Sequence, residues 1–445
     1  MPGSEPESLP IRVNQVRLPA TLARRNYPEL TASVLRSRSP LFRAMEKELQ
    51  AVRPGPAKPK IVSTAHGRIK SVLLTYPAYA ADEYSYRAVY TDLLKKLPSA
   101  TRFIILTHPS VLSDLRAALD DARATSRTTI IESPEFLQFL VWAEDPYVVV
   151  KDLAASPAIT YFIEPFTFRR VADAVIADLV ADATPIQSIQ SPLYFQGGNV
   201  LIGDDFVLIG ADYPANTLAL VDQTGHIRVP AGTDTATFLK ELYQKSFDPK
   251  RKVIYVGTML PVPQYERRPV TIGDEQWEEE IYFGTGQAQP IFHIDMFISL
   301  AGRGPSGKYR LLVGSPRLAD EILDRAPIPH AMGAIFDDVE RNLRDQGFEI
   351  LRNPLPLTYV DDPVGKLRTW YFATANNCLV QIDGKNQTVW LPTYGHGPWS
   401  DLRAVDDQNK EIWRRLRFTV KELADFHPFA QNLGAVHCIK KYLDR

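Results

Sequence analysis

The chain has 445 residues, of which 45% are hydrophobic and 23% are charged, and its formal net charge is -1. This composition is typical of a globular protein, and the balanced charge excludes the basic surface by which proteins bind nucleic acid or anionic membranes. No apolar run approaches the roughly 20 residues that span a bilayer. The N-terminus MPGSEPESLP lacks the basic and apolar regions of a secretion signal.

Residues 1–60 are rich in proline and contain one helix-like stretch at residues 41–52. They end in RPGPAKPK (residues 53–60), which is typical of a proline-stiffened connector. We therefore predict an N-terminal arm over residues 1–60 and a single domain over residues 61–445.

The domain begins with alternating strand and helix patterns. Apolar runs predict strands at residues 71–78, 102–108 and 128–133, and helical periodicity predicts helices at residues 86–97 and 109–124 between them. Similar apolar pieces recur further along, at residues 159–166, 199–203, 206–211, 293–300, 309–315, 377–382 and 388–392. Paired strands with an intervening helix indicate repeated units of about 60 to 80 residues, which must pack against one another to bury a core.

Two segments of the domain carry further predictions. The run VLIGDDFVLIGA (residues 200–211) predicts a hairpin with Gly203, Asp204 and Asp205 in its turn. Residues 212–290 are rich in turns and charges, so we predict that this segment is the least regular and includes an insertion or a loop over a site.

Polar residues interrupt apolar patterns at four places. In LVWAEDPYVVV, Glu144 and Asp145 fit an ordinary turn at a strand end, which is the commoner case, or a carboxylate facing a cleft. In LYFQGGNVLIG, Gly197 and Gly198 fit a turn or bulge, a positive φ, or a close approach of the backbone to a ligand. Neither stretch identifies a site by itself.

The other two places hold histidine and cysteine. In IFHIDMFISL, a strand would put His293 and Asp295 on the same face. They would then form either a hydrogen-bonded structural pair or a functional pair. Near the C-terminus, NLGAVHCIKKYLDR contains His437 and Cys438. With only two cysteines the chain cannot form a disulfide framework, so a reduced, cytoplasmic setting is expected, in which Cys438 is either a buried apolar residue or a nucleophile. Cys378 lies in an apolar run that predicts a core position.

In this order, the four stretches resemble the pentein superfamily of guanidine-modifying enzymes, which includes deiminases, dimethylarginine hydrolases and amidinotransferases. The matching elements are a W-x-x-D stretch, a glycine-pair strand, an H-x-D pair and a C-terminal cysteine, here Trp142 to Asp145, Gln196 to Asn199, His293 with Asp295, and Cys438. Residues 293–317 are most similar to the catalytic domain of peptidylarginine deiminases, and GAVHC is similar to peptidylarginine and agmatine deiminases. The resemblance spans about residues 65–445.

The resemblance implies an α/β fold, namely a five-bladed propeller of ββαβ-type repeats with pseudo-fivefold symmetry. It also implies that Cys438 attacks a guanidinium while His293 moves protons and Asp145 and Asp295 bind the substrate cation. Carboxylates suit that task because a planar guanidinium presents paired N–H donors in a fork. Further candidate substrate-binding residues are Trp142, Gln196, Gly197, Asn199 and Arg303. For the carboxylate of free arginine, Arg169, Arg170 and Arg303 are the available cations.

The implied activity is hydrolysis of an arginine-type guanidinium, in a peptide or a derivative, to a citrulline-type ureido group and ammonia. The alternatives are a deiminase of agmatine or free arginine, an amidinotransferase, and a non-catalytic binding protein of this fold. Two features depart from the family. Gln196 stands where many deiminases have Glu, and the chain lacks the acidic ligands and extra domains of the calcium-dependent animal enzymes. We therefore expect no metal and no cofactor.

Overall fold

The computed structural model of the protein describes residues 55–445, apart from residues 83, 226, 228 and 282–285. The predicted helix at residues 41–52, like the rest of the arm before residue 55, lies outside the described residues. The described part has a mixed α/β fold, as the alternation of strand and helix patterns predicts.

Five of the six sheets in the described part of the chain follow one plan. An antiparallel pair of strands comes first, one or more helices follow, and a third strand then pairs in parallel with the second. In one sheet the last strand, Lys440–Asp444, pairs antiparallel with Ser71–Tyr76, so the end of the chain returns to a strand near the start of the described part. This repetition confirms the predicted repeated units of paired strands and helices.

The first sheet, in spatial order, consists of Lys440–Asp444, Ser71–Tyr76, Arg102–Thr107 and Thr128–Glu132. The second consists of Pro59–Ile61, Val148–Asp152, Ile159–Glu164 and Gln187–Gln190. The third consists of Val200–Ile202, Phe206–Gly210 and Lys252–Val256, the fourth of Ile298–Arg303, Tyr309–Ser315 and Glu349–Pro354, and the fifth of Leu379–Asp383, Asn386–Thr393 and Thr419–Asp425. The sixth contains Glu266–Ile272, Glu275–Ile281, Leu367–Phe372 and Leu357–Asp362.

The α-helices connect strands of these sheets. In chain order they are Tyr79–Asp82, Tyr84–Lys96, Leu112–Asp121, Val171–Ala174, Ile176–Ala183, Asp212–Thr224, Thr235–Phe247, Pro316–Ile322, Gly333–Asp345, Arg403–Arg415 and His427–Ala430. Among the residues that the structure describes, no helix combines the length and the apolar character that crossing a membrane requires.

The apolar runs form strands because both faces of the central strands are covered. Ser71–Tyr76 pairs with strands on both sides, and five of its six residues are buried, so it needs a continuous apolar sequence. The predicted strand at residues 309–315 has the same bounds in the structure. It leads into a helix whose N-cap, Ser315, accepts a hydrogen bond from the backbone N–H of Leu318, with Pro316 in the first turn.

The predicted hairpin at residues 200–211 is confirmed. Its strands Val200–Ile202 and Phe206–Gly210 pair antiparallel, and residues 203–205 connect them. A side chain at Gly203 would collide with the ring of Phe206, so this turn requires glycine.

The prediction that residues 212–290 are the least regular segment is wrong, because the segment contains two helices and three strands. The predicted insertion corresponds to the hairpin at residues 266–281, which belongs to the one sheet outside the common plan. Helix Thr235–Phe247 begins at Asp234, whose carboxylate accepts from the backbone N–H of Thr237, 2.9 Å away. Residues at positions 239, 243 and 247 of this helix are buried at a spacing of four, which is the core face of an amphipathic helix. The hairpin at residues 266–281 joins the sixth sheet.

The predicted strand at residues 293–300 is also displaced. A short 3₁₀ turn covers Ile294–Met296, and the strand is Ile298–Arg303. His293 and Asp295 therefore lie in the segment that enters a strand and not on the strand itself.

The connector also ends differently from the prediction. Strand Pro59–Ile61 spans the predicted boundary at residue 60 and pairs antiparallel with Val148–Asp152. The backbone N–H groups of Ala57 and Lys58 donate to the Asp152 carboxylate at 3.0 and 2.9 Å. The last residues of the connector are thus part of the second sheet.

Candidate active site

Five polar residues occupy equivalent places in the five similar sheets. Each lies a few residues before the first strand of the antiparallel pair of its sheet; they are Asp145, Gln196, His293, Asn377 and Cys438. When repeated units pack side by side, the segments at the same end of each unit lie close together although they are distant in the chain. Side-chain contacts between His293 and Gln196, and between Asn377 and Cys438, show this proximity.

A pocket of about 160 Å³ lies where three of these segments meet, namely those that carry Asp145, His293 and Cys438. Its walls include residues 432 and 433 together with Trp142, Asp145, Arg170, Phe292, His293 and Cys438. It therefore combines a thiol, an imidazole, a carboxylate, a guanidinium and two aromatic rings, which is a combination suited to a planar, charged ligand.

Cys438 is almost fully buried, at 2% exposure. Its Sγ lies 3.1 Å from Nδ2 of Asn377 and 3.7 Å from Oδ2 of Asp295. Burial raises the pKa of the Cys438 thiol well above its usual range, and the charges of Asp295 and Asp145 raise it further. The protein's own charges thus favour the neutral thiol at neutral pH.

His293 is fully buried between Gln196 and Asp145. Its Nε2 lies 2.9 Å from Oε1 of Gln196, so the amide oxygen accepts when Nε2 carries the proton. Its Nδ1 lies 3.6 Å from Oδ1 of Asp145. Burial lowers the pKa of His293 to about 4, although the Asp145 charge opposes the shift. The imidazole is therefore neutral at pH 7 and is able to accept a proton.

Asp295 lies against the thiol but does not line the pocket. Its Oδ2 is 2.8 Å from Nδ1 of His437, and both residues line a small internal cavity of about 10 Å³. Burial raises the pKa of Asp295 well above its usual range. Of the two predicted carboxylates, Asp145 thus lines the pocket, whereas Asp295 contacts Cys438 from outside the pocket.

The turn that separates His293 from Asp295 is held by Asn199. Oδ1 of Asn199 accepts from the backbone N–H of Ile294 at 3.0 Å and from Nε2 of Gln289 at 2.9 Å. Asn199, predicted to bind substrate, is a fully buried support for this turn and does not line the pocket.

The glycine pair is required by close approach and not by a positive φ, since neither residue has one. A Cβ on Gly198 would lie 2.5 Å from Nδ1 of His293, and a Cβ on Gly197 would collide with the backbone carbonyl of Glu144. The groups that approach these glycines are therefore the imidazole of His293 and the backbone of Glu144. The sequence had left open whether a ligand approaches them instead. Gly197 does not line the pocket.

Trp142 forms one wall of the pocket. Its indole packs edge-on against Phe429, with ring centroids 6.1 Å apart. A Cβ on Gly434 would collide with the indole, so the loop before Cys438 follows the tryptophan closely. This contact couples the predicted W-x-x-D stretch to the segment that carries Cys438.

Arg303 does not lie in this pocket. It pairs with Asp204 and Asp205, each at 2.7 Å, and lines a different, larger cleft. Of the three arginines named from the sequence, Arg170 lines the pocket and Arg169 is exposed.

Sequence reasoning missed two features of the site. The first is Asn377, whose Oδ1 accepts from the backbone N–H groups of His437 and Cys438 at 2.8 and 3.3 Å while its Nδ2 faces the sulfur. The second is the buried pairing of Glu144 with Lys440 and Lys441, at 2.7 and 3.0 Å. The place of Asn377 before a paired strand, shared with the other four polar residues, was a usable signal for it.

The raised pKa of Cys438 makes a prediction about its reactivity. The thiolate is the form that iodoacetamide alkylates, so the alkylation rate of Cys438 in the ligand-free protein should rise only above the usual thiol pKa near 9. Mass spectrometry of the peptide that carries Cys438, after timed alkylation across the pH range, measures this rate apart from that of Cys378. A rate that levels off at or below neutral pH would contradict the account.

Among the described residues, no group of three or more His, Cys, Asp or Glu side chains is arranged to hold a metal ion.

Neither a known family model nor a curated protein sequence matches this chain. Solved structures do match. An agmatine deiminase of C. jejuni with substrate bound is 9% identical and has a TM-score of 0.55, over 86% of this chain and 96% of that one. An agmatine deiminase of Enterococcus faecalis is 12% identical with a TM-score of 0.52, over 86% and 95% of the two chains. A candidate peptidyl-arginine deiminase is 10% identical with a TM-score of 0.54, over 87% and 99%. At these identities the likeness establishes a shared fold.

Proposed function

We propose that this chain, which has the fold of the pentein superfamily as its motifs predicted, hydrolyses a guanidinium group to a ureido group and ammonia. One observation carries the proposal. Three residues that the motifs assigned to this chemistry, Asp145, His293 and Cys438, come from distant parts of the chain and line one pocket. We further propose that the five similar sheets surround a pseudo-fivefold axis near this pocket.

The reaction follows from the chemistry of the guanidinium carbon, which is a poor electrophile because its charge is delocalised over three nitrogens. Sγ of Cys438 forms a bond to this carbon, and one C–N bond breaks as ammonia leaves with a proton from His293. The product of this step is an S-alkylthiouronium on Cys438. Water, deprotonated by His293, then attacks the same carbon, and the C–S bond breaks to give the ureido product and the thiol.

Protonation in this scheme depends on the substrate. The buried site favours a neutral thiol and a neutral imidazole, because burial raises the pKa of Cys438 and lowers that of His293. A bound cation offsets the carboxylate charges of Asp145 and Asp295 and stabilises negative charge on sulfur. The thiol proton then moves to His293, which supplies it to the leaving ammonia.

A small guanidine compound such as agmatine is the substrate that we favour over peptidyl-arginine, which the sequence favoured. The structures of this fold include agmatine deiminases from two organisms. The pocket measures about 160 Å³ and Cys438, which lines it, is 2% exposed, whereas a peptide requires an open cleft. Both features suit a slender ligand that enters end-on.

Two other functions are compatible with the same fold. An amidinotransferase would pass the amidino group from Cys438 to an amine in place of water. A non-catalytic binding protein would not need a buried thiol, imidazole and carboxylate together in one pocket, and their presence argues against it.

The experiment that tests the proposal is ammonia release from agmatine, arginine and an acyl-arginine amide, each with and without calcium and with and without glycine as acceptor. We expect release from agmatine that needs neither calcium nor an acceptor. A transferase expels the alkyl amine of the substrate and not ammonia, so formation of amidinated glycine and the free amine without ammonia would identify a transferase. The absence of ammonia release from every guanidine would refute the hydrolase.

Asn377 offers a test of how the nucleophile is held. Replacing Asn377 by aspartate keeps an acceptor for the two backbone N–H groups but puts a carboxylate oxygen beside Sγ. Because that charge opposes thiolate formation, we expect kcat for ammonia release to fall about 10- to 100-fold while the melting temperature changes little. Steady-state kinetics and a thermal melt measure the two effects.

Asn386→Asp is the matched control, because Asn386 is exposed in a strand of the fifth sheet. It should leave kcat unchanged. If Asn377→Asp and Asn386→Asp behave alike, Asn377 does not act on the sulfur.

A further inference from the structure

The guanidinium of Arg170 forms an ion pair with Asp145, the carboxylate that lines the pocket. Its Nη2 lies 2.6 Å from Oδ2 of Asp145, and its Nε lies 2.6 Å from Oδ2 of Asp173. The two carboxylate side chains are 4% and 1% exposed, whereas the arginine side chain is 24% exposed and lines the pocket. The cation is thus the most accessible member of the group.

The arrangement leaves only part of the Asp145 carboxylate for another ligand. Oδ2 is paired with Arg170, while Oδ1 has no hydrogen-bond partner among the described residues and lies 3.6 Å from Nδ1 of His293. A guanidinium binds a carboxylate best through two parallel N–H···O bonds, which need both oxygens. A substrate that binds Asp145 in this way brings a second guanidinium to Oδ2, where the like charge of Arg170 opposes it.

Arg170 has a second anchor that lets it give up Asp145 without losing all its contacts. Asp173 is itself fixed, because its Oδ1 accepts from the backbone N–H of Leu140 at 2.7 Å. The Arg170 guanidinium also lies 5.1 Å from the ring centroid of Phe168, close enough for a cation–π contact. The Nη2 contact can therefore break while the Nε contact to Asp173 holds.

We propose that Arg170 competes with the substrate guanidinium for the carboxylate of Asp145. The substrate binds when it replaces Arg170 on Asp145, so this competition sets the affinity for substrate. This inference rests on the proposed function, since it takes Asp145 as the substrate's carboxylate. It also assigns specificity: a forked guanidinium can replace Arg170 on Asp145 with equivalent bonds, whereas an ammonium group cannot. The site therefore selects guanidines over amines that carry the same charge.

The test is the variant Arg170→Met, with guanidinium chloride as the binding probe and sodium chloride to keep the ionic strength constant. We expect the Kd for guanidinium, measured by titration calorimetry, to fall about tenfold, which corresponds to about 1.4 kcal/mol. For a turned-over guanidine, KM should fall in parallel while kcat stays within about threefold. Arg169→Met is the matched control, because Arg169 is adjacent in the chain, exposed and outside the pocket.

A second variant is needed if Arg170→Met does not fold, because two buried carboxylates, Asp145 and Asp173, then lose their shared cation. Arg170→Met with Asp173→Asn removes one charge of each sign and keeps an amide oxygen for the N–H of Leu140. It should show the same gain in guanidinium affinity. An unchanged or raised Kd in the folded variants would overturn the proposal, and would show that Arg170 helps Asp145 to bind.

The calorimetric result separates this inference from the proposed function. If the wild-type protein releases no ammonia from any guanidine, the hydrolase assignment fails, yet the change in guanidinium affinity still decides the role of Arg170. If ammonia is released and Arg170→Met binds guanidinium no more tightly, only the competitor role fails.

Discussion

Replacing Cys438 by alanine is expected to abolish ammonia release from every guanidine substrate, with a loss of at least about 10⁴-fold in kcat. Among the residues described, Cys438 carries the only thiol that lines the pocket, so without it no thiouronium intermediate can form. Neighbouring side chains can still bind and polarise the substrate, but no bond to sulfur can form. The measurement is ammonia release under saturating substrate, with a thermal melt to confirm folding.

Cys378 is the matched control for this variant. It is buried in the core, its Sγ lies 3.7 Å from Oγ of Ser299, and burial raises its pKa to about 12. Cys378→Ala should therefore keep kcat within about threefold and lose only some stability. Ammonia release at the wild-type rate from Cys438→Ala would remove Cys438 from the mechanism.

Asp145→Asn is expected to lower kcat/KM about 100-fold while the protein stays folded. The amide replaces a carboxylate that faces the substrate cation, and hydrogen bonds to charged groups contribute about 1.5 to 3 kcal/mol. Folding is retained because an amide oxygen can still accept from Nη2 of Arg170. Kinetics with agmatine and a thermal melt measure the two quantities.

The exposed residue Asp182, in helix Ile176–Ala183, gives a control of the same chemistry. Asp182→Asn should leave kcat/KM unchanged. If Asp145→Asn has unchanged kinetics too, a different carboxylate binds the guanidinium, and Asp295 is the next to test because it lies 3.7 Å from Sγ of Cys438.

The sequence predicted the regular parts of the fold well where apolar runs were long and both faces were buried. Strands at Ser71–Tyr76, Arg102–Thr107 and Tyr309–Ser315 lie within the predicted runs. Such strands carry their signal in consecutive residues, so no distant contact is needed to recognise them.

The hairpin at residues 266–281 was missed because a buried charge breaks its alternating pattern. Trp277, Glu279 and Ile281 are the buried residues of strand Glu275–Ile281. Glu279 is buried because Nε1 of Trp370 donates to it at 2.8 Å and Nε of Arg268 at 2.6 Å. Nothing local distinguishes this glutamate from its exposed neighbours, so the segment resembles a charged loop.

The turn after His293 was missed for a related reason. The residues of HIDMF alternate as a strand would, but Oδ1 of Asn199, far away in the chain, accepts from the backbone N–H of Ile294 and holds a 3₁₀ turn. A period-two pattern cannot reveal such a contact. Because of this turn, Asp295 faces His437 and the thiol of Cys438, and Asp145 lines the pocket.

For the site, the ordered motifs located Trp142, Asp145, His293 and Cys438, and all four line the pocket. Arg170 carried no comparable signal, because an arginine at the start of a helix is common and its approach to Asp145 is a tertiary contact. The choice of a small guanidine as substrate depends most on the narrow pocket and its buried thiol, neither of which a motif could supply.

The proposed mechanism requires a covalent bond between Cys438 and the substrate. Protein quenched in acid during turnover of agmatine should contain a fraction whose mass is increased by that of agmatine less ammonia. Peptide mapping should place the added mass on the peptide that carries Cys438 and not on the one that carries Cys378. Release of ammonia with no added mass on Cys438, together with an active Cys438→Ala variant, would contradict the account.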